Sequence, residues 1–237
     1  MNRALLGLIT ASMIGLPRIA PAETGEECVI LLHGLVRGPA SMQVMHWALD
    51  YHGYRVVNAS YPSTEALVED LAMTTLPRAP ARCAGAEKVH FVTHSMGAIL
   101  LRYYAAQHSI PNAGRAVLMA PPNGGSEIVD QLGHLSLFET IHGPAGLQLK
   151  TAPEALPRRL PAPRDLEVGI IAGTQSLNPF TSAMIEEPDD GKVSVKSAFA
   201  LAARDTIDLP VTHTWMMMNP GVIARTVCFL ESGRFTP

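Results

Sequence analysis

Short, uninterrupted apolar runs recur along this chain, and the segments between them carry apolar residues at helical spacing. Cys28–Leu32 stops at His33-Gly34 and predicts a strand buried on both faces. Pro39 opens a helix with Met42, Met45 and Leu49 on one face, and Gly53 ends it. Tyr54–Ala59 is β-branched and aromatic, a second strand. Thr64–Leu76 reads as a helix with Thr64 at its cap and Pro77 as its stop. Val89–Val92 is the third strand, and Met96–His108 is the helix behind it. Ala116–Ala120, closed by Pro121-Pro122, is the fourth strand, and Glu167–Ala172, ended by Gly173, is the fifth. Asn219 and Pro220 cap a last helix with the stripe Val222, Ile223, Val227 and Leu230, which Gly233 closes. Continuous apolar strands alternating with amphipathic helices predict an α/β fold, with a mostly parallel sheet covered by helices on both faces.

The alternation breaks between Pro122 and Pro163. That stretch is rich in Gly and Pro, with weak helical patterns near Ser126–Leu132 and Leu147–Leu156. Residues 123–165 are therefore expected to form an insertion, either a lid over a site or a passive excursion across the surface.

The first residues have a different character. Met1-Asn2-Arg3 is a positive start, Ala4 to Leu16 is uncharged, and Ala20-Pro21-Ala22 offers the small residues a signal peptidase reads. Residues 1–22 read as a secretory signal peptide cut after Ala22, with an uncleaved anchor as the alternative. The remaining 23–237 suit one domain, exported to the periplasm or outside the cell. Loss of Arg3 and Arg18 leaves 16 basic against 21 acidic residues, a formal charge of −5. That balance offers no surface for nucleic acid. With 47% apolar and 16% charged residues, the chain can bury a large core without a metal.

An exported chain can oxidise its thiols. Cys28 precedes the first strand and Cys83 lies shortly before the third. If those strands are parallel neighbours, both cysteines reach the same sheet edge, and a Cys28–Cys83 disulfide is expected. Cys228, inside the last helical pattern, is expected as a buried free thiol.

The chemistry concentrates in Thr93-His94-Ser95-Met96-Gly97, which lies between a strand and a helix. Such a turn exposes a serine oxygen where a nucleophile is needed. A serine needs a base to take its proton, a carboxylate to orient that base, and N–H donors for the oxyanion. Val29-Ile30-Leu31-Leu32-His33-Gly34 followed by Phe91-Val92-Thr93-His94-Ser95-Met96-Gly97 resembles the α/β-hydrolase superfamily, in particular bacterial triacylglycerol lipases and esterases. The resemblance runs from about Cys28 to Phe235. It departs from the family at Thr93, where a glycine is usual. Little chain lies between the signal and the His-Gly strand, so the fold's first strands are expected to be missing, leaving about six.

The resemblance implies Ser95 as nucleophile and the backbone amides of Leu35 and Met96 as oxyanion donors. It implies Asp190, in Asp189-Asp190-Gly191-Lys192-Val193, as the acid, with Asp189 its competitor, and His213 as the base. His33 and His94 are expected to be structural, and His134 or His142 could touch substrate. Leu135, Leu137, Phe138, Ile141 and Leu147 suit an acyl chain or lipid interface, or equally the insertion's own small core. The implied activity is hydrolysis of carboxylic esters, as a lipase or carboxylesterase, on a small-molecule ester or lipid. Brief contact with a lipid surface is part of that expectation. Amidase, thioesterase or acyltransferase chemistry on the same triad, and a non-catalytic binding protein on the same fold, are the alternatives. No cofactor is expected, and no metal, because the Asp189-Asp190 pair falls short of the six to eight oxygens calcium takes.

Overall fold

The computed structural model describes residues 26–186 and 188–236, so the signal peptide expected at 1–22 lies outside the described residues. The strands are β1 (Cys28–Leu32), β2 (Arg55–Ala59), β3 (Val89–His94), β4 (Ala113–Met119), β5 (Glu167–Gly173) and β6 (Asp205–Leu209). They form one six-stranded sheet in the order β2-β1-β3-β4-β5-β6. Every pairing in it is parallel.

Alternation along each strand splits the apolar residues between two layers. Ile30, Phe91, Leu118 and Ile170 face one core, packed with Leu71, Ile99 and Leu100. Val29, Leu31, Val92, Val117 and Ile171 face the other, with Met45, Leu49, Val222 and Phe229. Both faces of β1 and β3 are buried throughout, as the unbroken apolar run of β1 requires; in β3 the burial extends to His90, Thr93 and His94.

β6 is the strand that the apolar runs do not reveal. Its residues alternate between half-buried and exposed, and Asp205 and Asp208 interrupt any continuous run. It pairs only with β5, at the sheet edge, where charge guards against pairing with another chain.

Two helices differ from expectation. The second begins at Val68 rather than Thr64, and Leu67, not Thr64, occupies its cap position. Its first amide is satisfied from far away: Val68 N–H donates to Gln148 Oε1 at 2.7 Å, while Gln148 Nε2 donates to Glu69 Oε2 at 2.7 Å. The helical pattern at Leu147–Leu156 does not become a helix. The insertion instead forms Glu127–Leu132, Ser136–Leu147 and a single turn at Leu156–Arg159. Ser136–Leu147 breaks at Gly143, where φ is 63°. A side chain there would overlap the Thr64 carbonyl, which passes directly against the break.

The insertion returns to the sheet through Arg102, which is 1% exposed. Its guanidinium donates to the carbonyls of Leu160 and Pro161 and, at 2.9 Å, to Asn123 Oδ1. Burial lowers its pKa to about 10, so it stays charged at neutral pH, and charged donors make the stronger hydrogen bonds. Cys28 and Cys83 are joined by a disulfide with Cα atoms 5.7 Å apart. Cys228 is free but half-buried, not buried as its pattern implied, because its neighbours Val227, Phe229 and Leu230 take the core side of the helix. Among the described residues no helix is long and apolar enough to cross a membrane.

Candidate active site

Ser95 lies between β3 and the helix Met96–Ala105 with φ 53° and ψ −123°, a conformation L-residues avoid. The surroundings enforce it by close approach. A Cβ on Gly97 would stand 2.7 Å from the carbonyl oxygens of both Leu32 and His33. One on Gly34 would stand 2.8 Å from His94 Nδ1. The helix start and the loop after β1 therefore touch through two glycines, and side chains would force them apart. Thr93 does not meet this constraint. It is a β3 residue paired with Leu32 and Leu118, fully buried, with its hydroxyl unpartnered.

Asp190 and His213 come together from loops after β5 and β6. His213 Nδ1 lies 2.8 Å from Asp190 Oδ2. The other carboxylate oxygen accepts from the amides of Lys192 at 3.0 Å and Val193 at 2.9 Å. An ionised carboxylate only accepts, so Nδ1 carries the imidazole proton and Nε2 is left with a free lone pair. Asp189 is occupied elsewhere, accepting from Ser182 Oγ at 2.9 Å and the Gly191 amide at 2.6 Å. The carboxylate paired with the histidine is thus Asp190.

Ser95, Asp190 and His213 line one cavity of about 400 Å³. Ser95 and His213 are not hydrogen-bonded to each other in this structure; such bonds often tighten only when substrate binds. Leu35 lines the same cavity, and Met96 is buried at the first helical position. Among the described residues neither of these two amides donates to a protein acceptor. The insertion supplies an apolar wall that includes Leu132, Phe138 and Leu149, and His142 also lines the cavity. Leu135, Leu137 and Ile141 are exposed, and His134 is not part of the lining.

His94 holds His213 from behind. Its Nε2 lies 3.0 Å from the His213 carbonyl oxygen, and the two rings are 4.7 Å apart. A carbonyl can only accept, so His94 Nε2 is the donor and its buried Nδ1 is left bare. His33 stacks on Tyr61 at 4.0 Å, and the Tyr61 hydroxyl donates to the His33 carbonyl.

Three buried histidines are held neutral. Desolvation is the largest cause for His33, for His90 (lowered to about 4) and for His94. Glu27 stands 3.3 Å from His90 Nε2 and opposes this, but the Arg115 amide donates to Nδ1 and stabilises the neutral ring. Neutral histidines in the fold and titrating ones in the unfolded chain give the sign. Stability is intact above about pH 6.5 and falls as pH drops toward the folded values, by about 1.4 kcal/mol per pH unit per histidine. Urea unfolding at pH 7.5 and pH 5 checks this: the midpoint should be clearly lower at pH 5.

A parallel sheet, a serine on a strained strand-to-helix turn and a carboxylate–histidine pair beside it define a hydrolase-type site on a doubly covered α/β sheet. The chain matches the model of the alpha/beta hydrolase family over residues 29–227 and belongs to that family. Among solved structures it is similar to Bacillus licheniformis lipase BlEst2 in mature form, at 17% identity and TM-score 0.69, covering 92% of this chain and 95% of that one. The metagenomic carboxyl esterase MGS0156 is similar at 17% identity and TM-score 0.65, covering 89% and 70%. Phospholipase PlaB from Legionella pneumophila is similar at 16% identity and TM-score 0.57, covering 75% of this chain and 46% of that one. Likeness at such identities is likeness of fold. No curated protein sequence matches the chain.

Proposed function

We propose that the chain is an exported serine hydrolase that cleaves carboxylic esters. The observation that carries this is the Asp190–His213 hydrogen bond of 2.8 Å in a cavity that Ser95 also lines from its strained turn. Ser95 Oγ attacks the acyl carbon while His213 Nε2 takes its proton. Asp190 holds the imidazole tautomer and stabilises the imidazolium. The amides of Leu35 and Met96 receive the oxyanion. His213 then protonates the leaving alcohol, and an acyl-enzyme remains on Ser95. Water, deprotonated by His213, attacks that ester, and the carboxylic acid leaves as Ser95 regains its proton.

The two unpartnered amides and the lone pair on Nε2 support this reading, and so does the family. The apolar wall of Leu132, Phe138 and Leu149 supports an acyl chain as the bound group. Val36, Leu177 and Trp215 line the cavity yet are exposed, which suits brief contact with a lipid surface. The disulfide supports export to an oxidising compartment. A fluorophosphonate probe tests the mechanism. It should label Ser95 alone, found by peptide mapping; an unlabelled Ser95 in folded protein overturns it.

A further inference from the structure

The cavity holds a charge pattern that ester hydrolysis by itself does not use. Its lining includes Arg37, from the loop after β1, and Lys192, from the Asp190 loop. Arg37 is half-buried and Lys192 is exposed. Among the described residues neither makes a salt bridge. The carboxylates of the surrounding loops are turned to other partners, although Glu127 Oε2 is buried without one. Asp190 takes His213 and two amides, Asp189 takes Ser182 and Gly191, and Glu127 accepts from Ser194 Oγ at 3.2 Å. Arg37 and Lys192 also act on the same region. The Lys192 ammonium is lowered from its usual range by desolvation and then by Arg37, with Asp190 pulling it back. Both cations depress His94, beneath the base.

Arg37 and Lys192 line the same cavity as the apolar side chains of Ile128, Val129, Leu132, Phe138 and Leu149. Two like charges repel, and Asp190, the acid that acts on Lys192, is already bonded to His213 and two amides. The cavity is therefore amphiphilic, lined by two cations and by the apolar side chains of the insertion, with Ser95 in the same lining.

We propose that the preferred substrate is an acyl ester whose alcohol part carries an anionic, phosphate-type headgroup. The acyl chain lies along Leu132, Phe138 and Leu149, and the headgroup sits between Arg37 and Lys192. This rests on the ester-hydrolase reading for its chemistry, but its recognition is testable without turnover. Arg37 supplies a planar fork suited to phosphate oxygens, and Lys192 a point charge.

The test uses two ligands with no cleavable ester, 1-O-dodecylglycerol and 1-O-dodecylglycerol 3-phosphate. Each is titrated below its micelle concentration into the wild-type chain by calorimetry. The phosphate form should bind at least about tenfold more tightly, and the advantage should shrink as salt rises. The double variant Arg37→Gln/Lys192→Gln should lose that discrimination, and the charge-keeping Arg37→Lys/Lys192→Arg should retain a measurable part of it. Thermal melts show that each variant is folded. Equal affinities in the wild type, or discrimination surviving in the glutamine pair, overturn the proposal. So does inorganic phosphate binding as tightly as the alkyl phosphate, since the site would then recognise the free ion. Because neither ligand is hydrolysed, failure here leaves the Ser95 mechanism untouched, and an inert Ser95 leaves this measurement intact.

Discussion

Ser95→Ala should lower ester hydrolysis by about ten-thousand-fold or more, with p-nitrophenyl butyrate as the test substrate, while the thermal midpoint should stay within a few degrees of wild type. The expected rate loss follows from removing the atom proposed to form the acyl-enzyme; single deletions of a nucleophile in such triads cost about as much as losing the whole unit. What remains comes from the oxyanion amides and from binding. The small effect on stability follows from the surroundings of the side chain. Ser95 Oγ makes no hydrogen bond to the described residues, so alanine leaves no buried partner unsatisfied. The turn geometry is imposed by the contacts at Gly34 and Gly97, which alanine at position 95 does not change. A folded variant with near wild-type turnover would mean that another group is the nucleophile.

The second large effect is on stability. The Cys28–Cys83 bridge closes a loop with a sequence separation of 55 residues. Loop-closure entropy in the unfolded chain then makes the bridge worth about 4 kcal/mol. Cys28→Ala with Cys83→Ala should lower the thermal midpoint by roughly 10 °C for a domain of this size. Cys28 opens β1, opposite Val89 in β3, and the bridge ties that strand start to the loop that leads into β3. Urea unfolding with and without dithiothreitol is the direct measurement, and coincident curves would show that the bridge contributes nothing. Activity of the cysteine variant below its melting point should be retained, since neither sulfur reaches the cavity.

Local pattern carried the two-layer core. β1 is buried on both faces and apolar throughout, so the run itself marks the strand, and β3 carries Val89, Phe91 and Val92 on its two buried faces. It carried the turn at Ser95 too, because a strand, a serine and a small residue at Gly97 are neighbours in the chain. The cap of the last helix is equally local: Asn219 Oδ1 accepts from Gly221 and Val222, two and three residues on.

What depends on distant residues was legible only where a cysteine pair or the family pattern marked it. β6 lacks an apolar run because an edge strand is only half covered, so its two aspartates conceal it. The start of the helix Val68–Thr75 is set by Gln148, and the break at Gly143 by the Thr64 carbonyl; neither partner is near in sequence. Asp189 and Asp190 are chemically identical neighbours. Only the packed loops give one to His213 and the other to Ser182 and Gly191. The sequence by itself determined which segments must be buried and which side chains have the right chemistry, since both are properties of residues and their near neighbours. The tertiary structure decided that Asp190, which the resemblance implied, and not Asp189 meets the imidazole, and that two cations 155 positions apart line one cavity with apolar side chains. Both depend on how distant segments pack, which no local run of residues encodes.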